Sequence, residues 1–134
     1  MLAVPEPSRS LHGPTVLVVD DHRDTVDMVA AYLTASGATV VGAGSAKAGL
    51  TLIEMHVLDA ALVDLRMPGE DGRWFLRELR ASGTPSANAP VFAVSGEHRE
   101  RLDPRSGFAG YFFKPVDLDG LVSALSALPR RSRA

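Results

Sequence analysis

The stretch Val-Leu-Val-Val-Asp-Asp at residues 16–21 decides the fold, because an apolar run ends there in two carboxylates. The same pattern recurs in Ala-Ala-Leu-Val-Asp at residues 60–64. In Tyr-Phe-Phe-Lys-Pro at residues 111–115, the apolar run ends in a lysine instead of a carboxylate. Short apolar runs of this kind are typical of strands buried on both faces of a parallel sheet. A polar residue directly after such a strand lies at the carboxyl edge of the sheet, where open α/β folds bind their ligands.

Four side chains are therefore predicted to converge at one edge of the sheet: Asp20, Asp21, Asp64 and Lys114. Three carboxylates in one place repel one another unless a cation joins them. Hard oxygen ligands suit Mg²⁺, which keeps several waters and shares its coordination shell with phosphate groups. Lys114 adds a positive donor for phosphoryl oxygens. The set predicts an aspartate that accepts a phosphoryl group with the help of Mg²⁺, rather than a generic acidic patch.

Composition argues against several classes of protein. The formal net charge of −2 argues against a nucleic-acid-binding surface, so no direct binding to DNA is expected. The count of 0 cysteines excludes disulfides and thiolate chemistry and is compatible with the cytoplasm, where we expect the protein to work. No apolar run approaches the roughly 20 residues that span a bilayer, so no membrane contact is predicted.

The chain of 134 residues is long enough for one domain with a single sizeable core. Residues 1–14 are rich in proline and lack a long apolar segment, so they are expected to form a flexible N-terminal tail rather than a signal peptide. The domain is predicted over residues 15–128, with Pro129 ending the last helix. Residues 129–134 are expected to form a basic C-terminal tail, and no output domain is expected after Leu128.

Short apolar runs alternate with segments of helical periodicity, which is the pattern of βαβ units and a parallel sheet. Right-handed crossovers place helices on both faces, so the predicted fold is α/β, a doubly wound five-stranded parallel sheet with about five helices. Ser45 and Asp117 are placed to cap helices, and Gly37 to end one. The predicted strands are Thr15–Val19, Thr39–Ala43, Ala60–Val63, Val91–Val94 and Gly110–Phe113.

Four motifs stand at predicted strand ends in a definite order. They are Val-Leu-Val-Val-Asp-Asp at 16–21, Ala-Leu-Val-Asp-Leu-Arg-Met-Pro-Gly-Glu-Asp-Gly at 61–72, Val-Phe-Ala-Val-Ser-Gly at 91–96 and Gly-Tyr-Phe-Phe-Lys-Pro-Val at 110–116. Together they resemble the receiver domain of two-component response regulators, the CheY-like superfamily. The resemblance covers nearly everything between the tails. It implies a (βα)5 flavodoxin-like receiver fold with strand order 2-1-3-4-5.

The resemblance also implies which acidic residue accepts the phosphoryl group and which residues bind Mg²⁺. Asp64 matches the phosphoacceptor. Asp21, Asp64 and the backbone carbonyl of Arg66 would bind Mg²⁺ directly, whereas Asp20 would act through a water molecule. The donor implied is a histidine kinase or a histidine phosphotransfer protein, and the phosphorylated form would bind a downstream protein target. Similarity to receivers of hybrid histidine kinases leaves open a free-standing regulator or a piece of a longer protein, and a homodimer is also left open.

Further residues match the family's catalytic positions, Ser95 and Lys114 beside Asp64, and its switch positions, Ser95 and Tyr111. Ser95 matches the hydroxyl residue that hydrogen-bonds the phosphoryl group, and Lys114 matches the lysine beside it. Tyr111 matches the aromatic residue that changes rotamer when the hydroxyl is drawn toward phosphate. Pro115 follows a peptide bond that is commonly cis in the family. The function implied is a phosphorylation-switched signalling module that catalyses only its own phosphoryl transfer and dephosphorylation.

Two features are particular to this sequence. Arg66 lies two residues after the phosphoacceptor and Glu97 two residues after the switch serine, so their opposite charges are placed to pair across the mouth of the pocket. The pair is predicted to modulate the lifetime of the phosphoryl group. The interval 95–114 is about one helical turn shorter than is usual and contains Pro104, so the fourth helix, between the fourth and fifth strands, is predicted to be short or irregular.

Simpler explanations of several residues stay open. Asp20 and Asp21 are also placed to cap the first helix, which carboxylates favour by about 0.5–2 kcal/mol. Tyr111 on its own is more typical of a core aromatic residue. The histidines show no metal-ligand spacing and are predicted to be structural or solvated; they are His12, His22, His56 and His98.

Three other functions compete with the signalling module. A phosphatase of the haloacid dehalogenase type needs a second aspartate two residues after its nucleophile, and neither Asp20 nor Asp64 has one. A flavodoxin-like flavin binder needs a phosphate loop of small residues after the first strand, where Asp20 and Asp21 would repel a phosphate. A receiver-like module that works unphosphorylated is disfavoured because all the residues of a phosphorylation site are present.

Overall fold

The computed structural model describes residues 11, 13–96 and 105–129, and within these ranges strands alternate with helices. None of the helices in these ranges has the length and apolar character needed to cross a membrane. The strands are β1 (Thr15–Val19), β2 (Thr39–Ala43), β3 (Ala60–Asp64), β4 (Val91–Ser95) and β5 (Gly110–Phe113). The helices are α1 (Arg23–Ala35), α2 (Ala46–Leu52), α3 (Gly72–Arg80) and α4 (Leu118–Ser126).

The strands are all parallel and form one sheet in the order β2-β1-β3-β4-β5. The predicted α/β fold class and strand order are therefore confirmed. β3 and β4 each run one residue beyond the predicted strand, because Asp64 pairs with Val94 and Ser95 pairs with Phe113 in the sheet. Each of these two strands consequently ends in a polar residue whose backbone the sheet holds in place.

Side chains alternate across the sheet and fill two cores, one on each face. Val16 and Val18 of β1 pack on one face with apolar residues of α1 and α4. Leu17 and Val19 pack on the other face with apolar residues of α2 and α3. Helices therefore cover both faces, as the doubly wound topology requires. Full burial of each such valine or leucine stabilises the fold by about 1.5–3 kcal/mol.

Local sequence fixes where the helices begin and end. Ser45, Asp71 and Asp117 precede α2, α3 and α4, and each side chain accepts a hydrogen bond from the backbone N–H three residues later. Gly37, just after α1, has a φ of 109°, a conformation that favours glycine. The predicted caps at Ser45 and Asp117 and the predicted helix stop at Gly37 are confirmed.

Part of the predicted N-terminal tail belongs to the packed structure. Leu11 is only 7% exposed and packs in the core on the α1–α4 face of the sheet. Its N–H donates to the carbonyl of Ser36, and the N–H of Gly13 donates to the carbonyl of Gly37 at 3.1 Å. The flexible tail predicted over residues 1–14 therefore does not include Leu11 and Gly13, because the turn after α1 binds their backbone and the core takes the leucine.

The connection between β4 and β5 is described only in its last part. The predicted short or irregular fourth helix falls mainly on residues 97–104, which lie outside the described ranges. Residues 105–109 form a turn and bends without helix or strand, and the N–H of Ala109 donates to the carbonyl of Val91 at 2.8 Å. The helix after β5, predicted from the cap at Asp117, is α4.

Gly72→Ala is expected to destabilise the fold, since a Cβ at this position would lie 2.6 Å from the carbonyl oxygen of Asp64. That oxygen belongs to the backbone and cannot rotate away, so the substitution is expected to cost about 1–3 kcal/mol of unfolding free energy in chemical denaturation. Gly44→Ala is the matched control, because a Cβ there meets nothing within 4 Å and is expected to change stability by less than about 0.5 kcal/mol. Equal stability of the two variants would contradict the close approach of α3 to β3.

Candidate functional site

The predicted site residues lie at the carboxyl edge of the sheet, at the ends of adjacent strands. Asp20 follows β1, Asp64 ends β3, Ser95 ends β4 and Lys114 follows β5. The N–H of Lys114 donates to the carbonyl of Ser95 at 2.8 Å, so the end of β5 is held beside the end of β4. The parallel order of the strands therefore brings residues far apart in sequence to one edge.

The ammonium group of Lys114 joins two buried carboxylates. Its Nζ lies 2.8 Å from Oδ2 of Asp64 and 3.0 Å from Oδ2 of Asp20. Both aspartates are only 3% exposed, so water and salt screen these contacts weakly. The peptide bond between Lys114 and Pro115 is cis, as the resemblance implies. Lys114 thus links the end of β5 electrostatically to the ends of β1 and β3.

Burial and charge act in opposite directions on the Asp64 carboxyl. Burial raises its pKa, and the Asp20 carboxylate nearby adds to the rise. Hydrogen bonds from Lys114 and from the N–H of Arg66 oppose the rise, but the net pKa stays above its ordinary value. An ion pair alone would lower the pKa of the acid, so burial outweighs the lysine here. The ionised form of Asp64 is therefore disfavoured relative to the same group in water.

Burial also affects the pKa of Lys114, but the two neighbouring carboxylates together have the larger effect. Burial by itself lowers the pKa of the ammonium group. The hydrogen bonds to Asp64 and Asp20, together with the charges of both carboxylates, outweigh that effect and raise the pKa above its ordinary value. Lys114 therefore remains a cation at neutral pH.

The capping role left open for Asp20 and Asp21 is not the one observed. The residue that precedes α1 is His22, and its side chain makes no capping hydrogen bond. Oδ1 of Asp20 accepts the N–H of His22 at 2.8 Å, and Oδ1 of Asp64 accepts the N–H of Arg66 at 2.9 Å. Each of these two buried carboxylates thus uses one oxygen to order its own loop and the other to bind Lys114.

The loop after β1 also brings a histidine to the acidic residues. One ligand atom from each of Asp20, Asp21, His22 and Asp64 lies within 4.8 Å of the others. Nδ1 of His22 is 3.0 Å from Oδ1 of Asp20 and 3.4 Å from Oδ1 of Asp21. The exposed ring is compatible with the prediction that His22 is structural or solvated, but that prediction did not include its contact with both carboxylates. Its position directly after two aspartates is the signal in the sequence that would have found it.

The donor set fits Mg²⁺. Three carboxylates meet within 4.8 Å of one another and face one protein cation, Lys114, so a divalent ion would balance the remaining charge. Carboxylate oxygens are the hard ligands that Mg²⁺ prefers. His22 is the single nitrogen donor of this cluster within the described residues.

Ser95 lies where the resemblance places it, and Tyr111 has a partner of its own. Ser95 is 2% exposed at the end of β4. The Tyr111 hydroxyl is 2.6 Å from Oγ of Ser106, and its ring meets Phe108 edge to face with the centroids 5.7 Å apart. The connection that leads into β5 therefore holds Tyr111 in its present rotamer. Sequence reasoning missed Ser106, because nothing in its spacing marks it.

Arg66 presents its side chain to solvent beside the site. Together with Arg73 and Asp71 it lines an open pocket next to the loop that follows β3. The predicted partner of Arg66, Glu97, lies outside the described residues. The pairing of the two therefore stays a prediction.

Asp64→Asn is expected to raise the free energy of unfolding at neutral pH in metal-free buffer, since it removes a buried charge whose pKa is raised on folding. The folded state binds the proton more tightly than the unfolded state, so the parent protein loses stability as pH rises from the ordinary aspartate value through the folded pKa. The extra stability of Asp64→Asn over the parent is therefore expected at pH values above the folded pKa of Asp64. It is expected to disappear below about pH 3, where the carboxyl is protonated in both the folded and the unfolded state.

Denaturation curves at several pH values measure this difference. Asp27→Asn, which changes an exposed carboxylate of α1, is the control and is expected to shift stability by less than about 0.5 kcal/mol at every pH. A gain in Asp64→Asn that does not vary with pH would rule out the buried charge as its cause.

Comparison with known proteins agrees with this geometry. The family of response regulator receiver domains matches residues 16–126. The chain is 38% identical over 105 residues to an uncharacterized 14.6 kDa protein of Leptolyngbya boryana, covering 76% of this chain and 79% of that protein. It is 32% identical over 117 residues to the sensor protein GacS of Pseudomonas syringae pv. syringae, covering 82% of this chain. The chain spans only 13% of the length of GacS.

A solved structure shows the same architecture. The crystal structure of a response regulator receiver protein from Pseudomonas putida is 29% identical, with a TM-score of 0.75. The match covers 86% of this chain and 97% of that one. The fold, the edge where the acidic residues and the lysine meet, and the match over residues 16–126 lead to one conclusion. The chain belongs to the family of response regulator receiver domains, the signalling module of two-component systems.

Proposed function

We propose that this receiver accepts a phosphoryl group on Asp64 from a phosphohistidine donor and changes its partner-binding surface in response. The observation that carries the proposal is the buried Asp64 carboxylate held at 2.8 Å by Lys114, with the carboxylates of Asp20 and Asp21 close by. A cation beside the acceptor attracts the phosphoryl oxygens as they approach. A purely structural ion pair would need only one carboxylate, whereas Asp20 and Asp21 add negative charge that Lys114 alone does not balance.

The transfer is a displacement at phosphorus. An oxygen of Asp64 bonds to phosphorus while the phosphorus–nitrogen bond of the donor breaks, and the electron pair leaves with the imidazole nitrogen, which then takes up a proton. The products are an acyl phosphate on Asp64 and a neutral histidine on the donor. Lys114 and Ser95 would hold the phosphoryl oxygens, since they stand at strand ends on the same edge of the sheet as Asp64.

The metal site is part of the same proposal. Asp21, Asp64 and the backbone carbonyl of Arg66 would hold Mg²⁺ directly, with Asp20 acting through water. When bound, Mg²⁺ supplies positive charge that offsets the repulsion between the carboxylates and an incoming phosphoryl group. The three carboxylates support this assignment, since they exceed the charge that Lys114 balances.

We propose that the output runs through Ser95 and Tyr111. Once the Ser95 hydroxyl turns to a phosphoryl oxygen, Tyr111 is expected to move toward the space beside it. That movement breaks the hydrogen bond between Tyr111 and Ser106, which is 2.6 Å long. A hydrogen bond of this kind contributes about 1 kcal/mol, little enough for phosphorylation to outweigh it.

The partners follow from the proposed chemistry. The donor is a histidine kinase or a histidine phosphotransfer protein, which the similarity to the sensor protein GacS supports. A downstream protein, rather than DNA or a membrane, would read the switched surface, in line with the net charge of −2. The proposed role is that of a phosphoacceptor in the cytoplasm and not of an enzyme with a separate substrate. The choice between a monomer and a homodimer is left open.

Incubation of the chain with acetyl phosphate and Mg²⁺ is expected to add one phosphoryl group, which intact-mass spectrometry would detect. The gain is expected to vanish without Mg²⁺ and in Asp64→Asn, because the first removes the balancing charge and the second removes the nucleophile. Asp27→Asn, on the exposed face of α1, is expected to behave like the parent. A folded parent that gains no mass from acetyl phosphate or from a phosphohistidine donor would favour a module that works without phosphorylation.

Lys114→Ala is expected to keep much of the Mg²⁺ affinity, because the carboxylates remain, but to uncouple phosphorylation from the change in conformation. Calorimetry measures the affinity, and fluorine NMR of fluorotyrosine-labelled protein follows Tyr111 with and without acetyl phosphate. Lys47→Ala changes the chain's other lysine, exposed on α2, and is the control. A Tyr111 signal in Lys114→Ala that responds as in the parent would exclude the lysine from the switch.

We also propose that Arg66 and Glu97 modulate the lifetime of the phosphoryl group. The exposed Arg66 side chain beside the acceptor supports this role. Dephosphorylation rates of Arg66→Ala and Glu97→Ala, compared with Arg77→Ala on the exposed side of α3, test it. Rates equal to that of the parent in both variants would end the proposal.

A further inference from the structure

His22 is the member of the site that phosphoryl transfer does not require. Its side chain is 66% exposed and caps no helix. Yet its Nδ1 atom lies against two carboxylates of the site, at 3.0 Å from Asp20 and 3.4 Å from Asp21. An imidazole offers a nitrogen lone pair, which suits first-row transition metals better than it suits Mg²⁺. His22 therefore brings a donor of a different chemical class to a site otherwise made of oxygens.

The donor atoms already have the spacing of ligands that share one ion. Ligand atoms about 2.1 Å from a common ion lie about 3–4.2 Å apart. Nδ1 of His22 lies 3.4 Å from Oδ1 of Asp21, and its 3.0 Å contact with Oδ1 of Asp20 is a hydrogen bond that binding of an ion to Nδ1 would replace. An oxygen of Asp64 lies within 4.8 Å of the same atoms. The spacing of these four side chains thus suits a single ion.

We propose that His22 is a ligand of the divalent cation at this site and that it biases the site toward first-row transition-metal ions, with Zn²⁺ as the probe, over Mg²⁺. The inference rests on the proposed function, because the carboxylates that hold the ion are those of the phosphoacceptor site. Mg²⁺ sheds water reluctantly and keeps oxygen ligands, so a nearby imidazole adds little to its binding. Zn²⁺ binds imidazole nitrogen at about 2.0–2.1 Å, so the same nitrogen strengthens its binding.

Calorimetric titration of the full chain with Zn²⁺ and with Mg²⁺ tests the proposal. His22→Asn is expected to weaken Zn²⁺ binding by about tenfold or more and to change Mg²⁺ binding by less than about twofold. His56→Asn is the matched control, because its side chain lies outside the acidic cluster, and both affinities are expected to stay at the parent's values. Asp21→Asn is expected to weaken both ions, since the two share one site.

Nitrogen NMR of histidine-labelled protein provides a direct readout of the ligand. The Nδ1 resonance of His22 is expected to shift much further with Zn²⁺, which binds the nitrogen, than with Mg²⁺, which binds only the neighbouring carboxylates, and to reach its Mg²⁺ position when excess Mg²⁺ displaces Zn²⁺. The proposal would be overturned if the His22 resonance does not shift with Zn²⁺. It would also be overturned if His22→Asn weakens the binding of both ions equally or of neither. Equal loss would mean that His22 only shapes the loop.

The outcome is separable from that of the proposed function. A parent that takes a phosphoryl group with Mg²⁺ but binds Zn²⁺ equally well with and without His22 contradicts this inference alone. A parent whose Zn²⁺ affinity depends on His22 but that never gains a phosphoryl group contradicts the proposed function alone.

Discussion

The contact of one ammonium group with two buried carboxylates is the constraint on which the site depends. Asp20 and Asp64 are almost fully buried, and an unpaired charge in that position would cost several kcal/mol. Lys114 serves both of them, and it reaches them because its own N–H is bonded to the carbonyl of Ser95 at the end of β4. The strand order therefore decides which charges meet. The ends of β1, β3 and β5 are coupled electrostatically by that one side chain.

The residues of the site differ in how firmly the fold holds them. Asp64 and Ser95 are the last paired residues of β3 and β4, and apolar cores cover both faces of these strands. The sheet thus fixes the backbone of the two residues that the proposed function brings to the phosphoryl group. Tyr111, in contrast, is partly exposed, and its hydroxyl shares a hydrogen bond with the hydroxyl of Ser106, in the connection before β5. A side chain at a partly exposed edge of the structure suits the switch role proposed for Tyr111.

Much of the fold and of the site could be predicted, because apolar runs and their polar ends are local signals. The convergence of Asp64 with Lys114 followed from parallel strands, whose carboxyl ends share one edge. Contacts that depend on tertiary structure could not be found in this way. Leu11 is buried because the turn at Gly37 binds the segment before β1. The sequence of residues 1–14 contains no pattern that predicts this contact with a distant turn. His22 lies beside the acidic residues because of the conformation of one loop, and the spacing of the histidines in the sequence does not indicate this.

The Asp64 carboxylate is held at both oxygens, by the N–H of Arg66 at 2.9 Å and by the ammonium of Lys114 at 2.8 Å. A side chain bound in this way gave up its rotational freedom when the chain folded. Little of that entropy is left to lose in the proposed phosphoryl transfer, so an acceptor oriented in this way would face a lower entropic barrier. In the proposed transfer, the donor protein would then have only to deliver its phosphoryl group, because the receiver itself orients the Asp64 carboxylate.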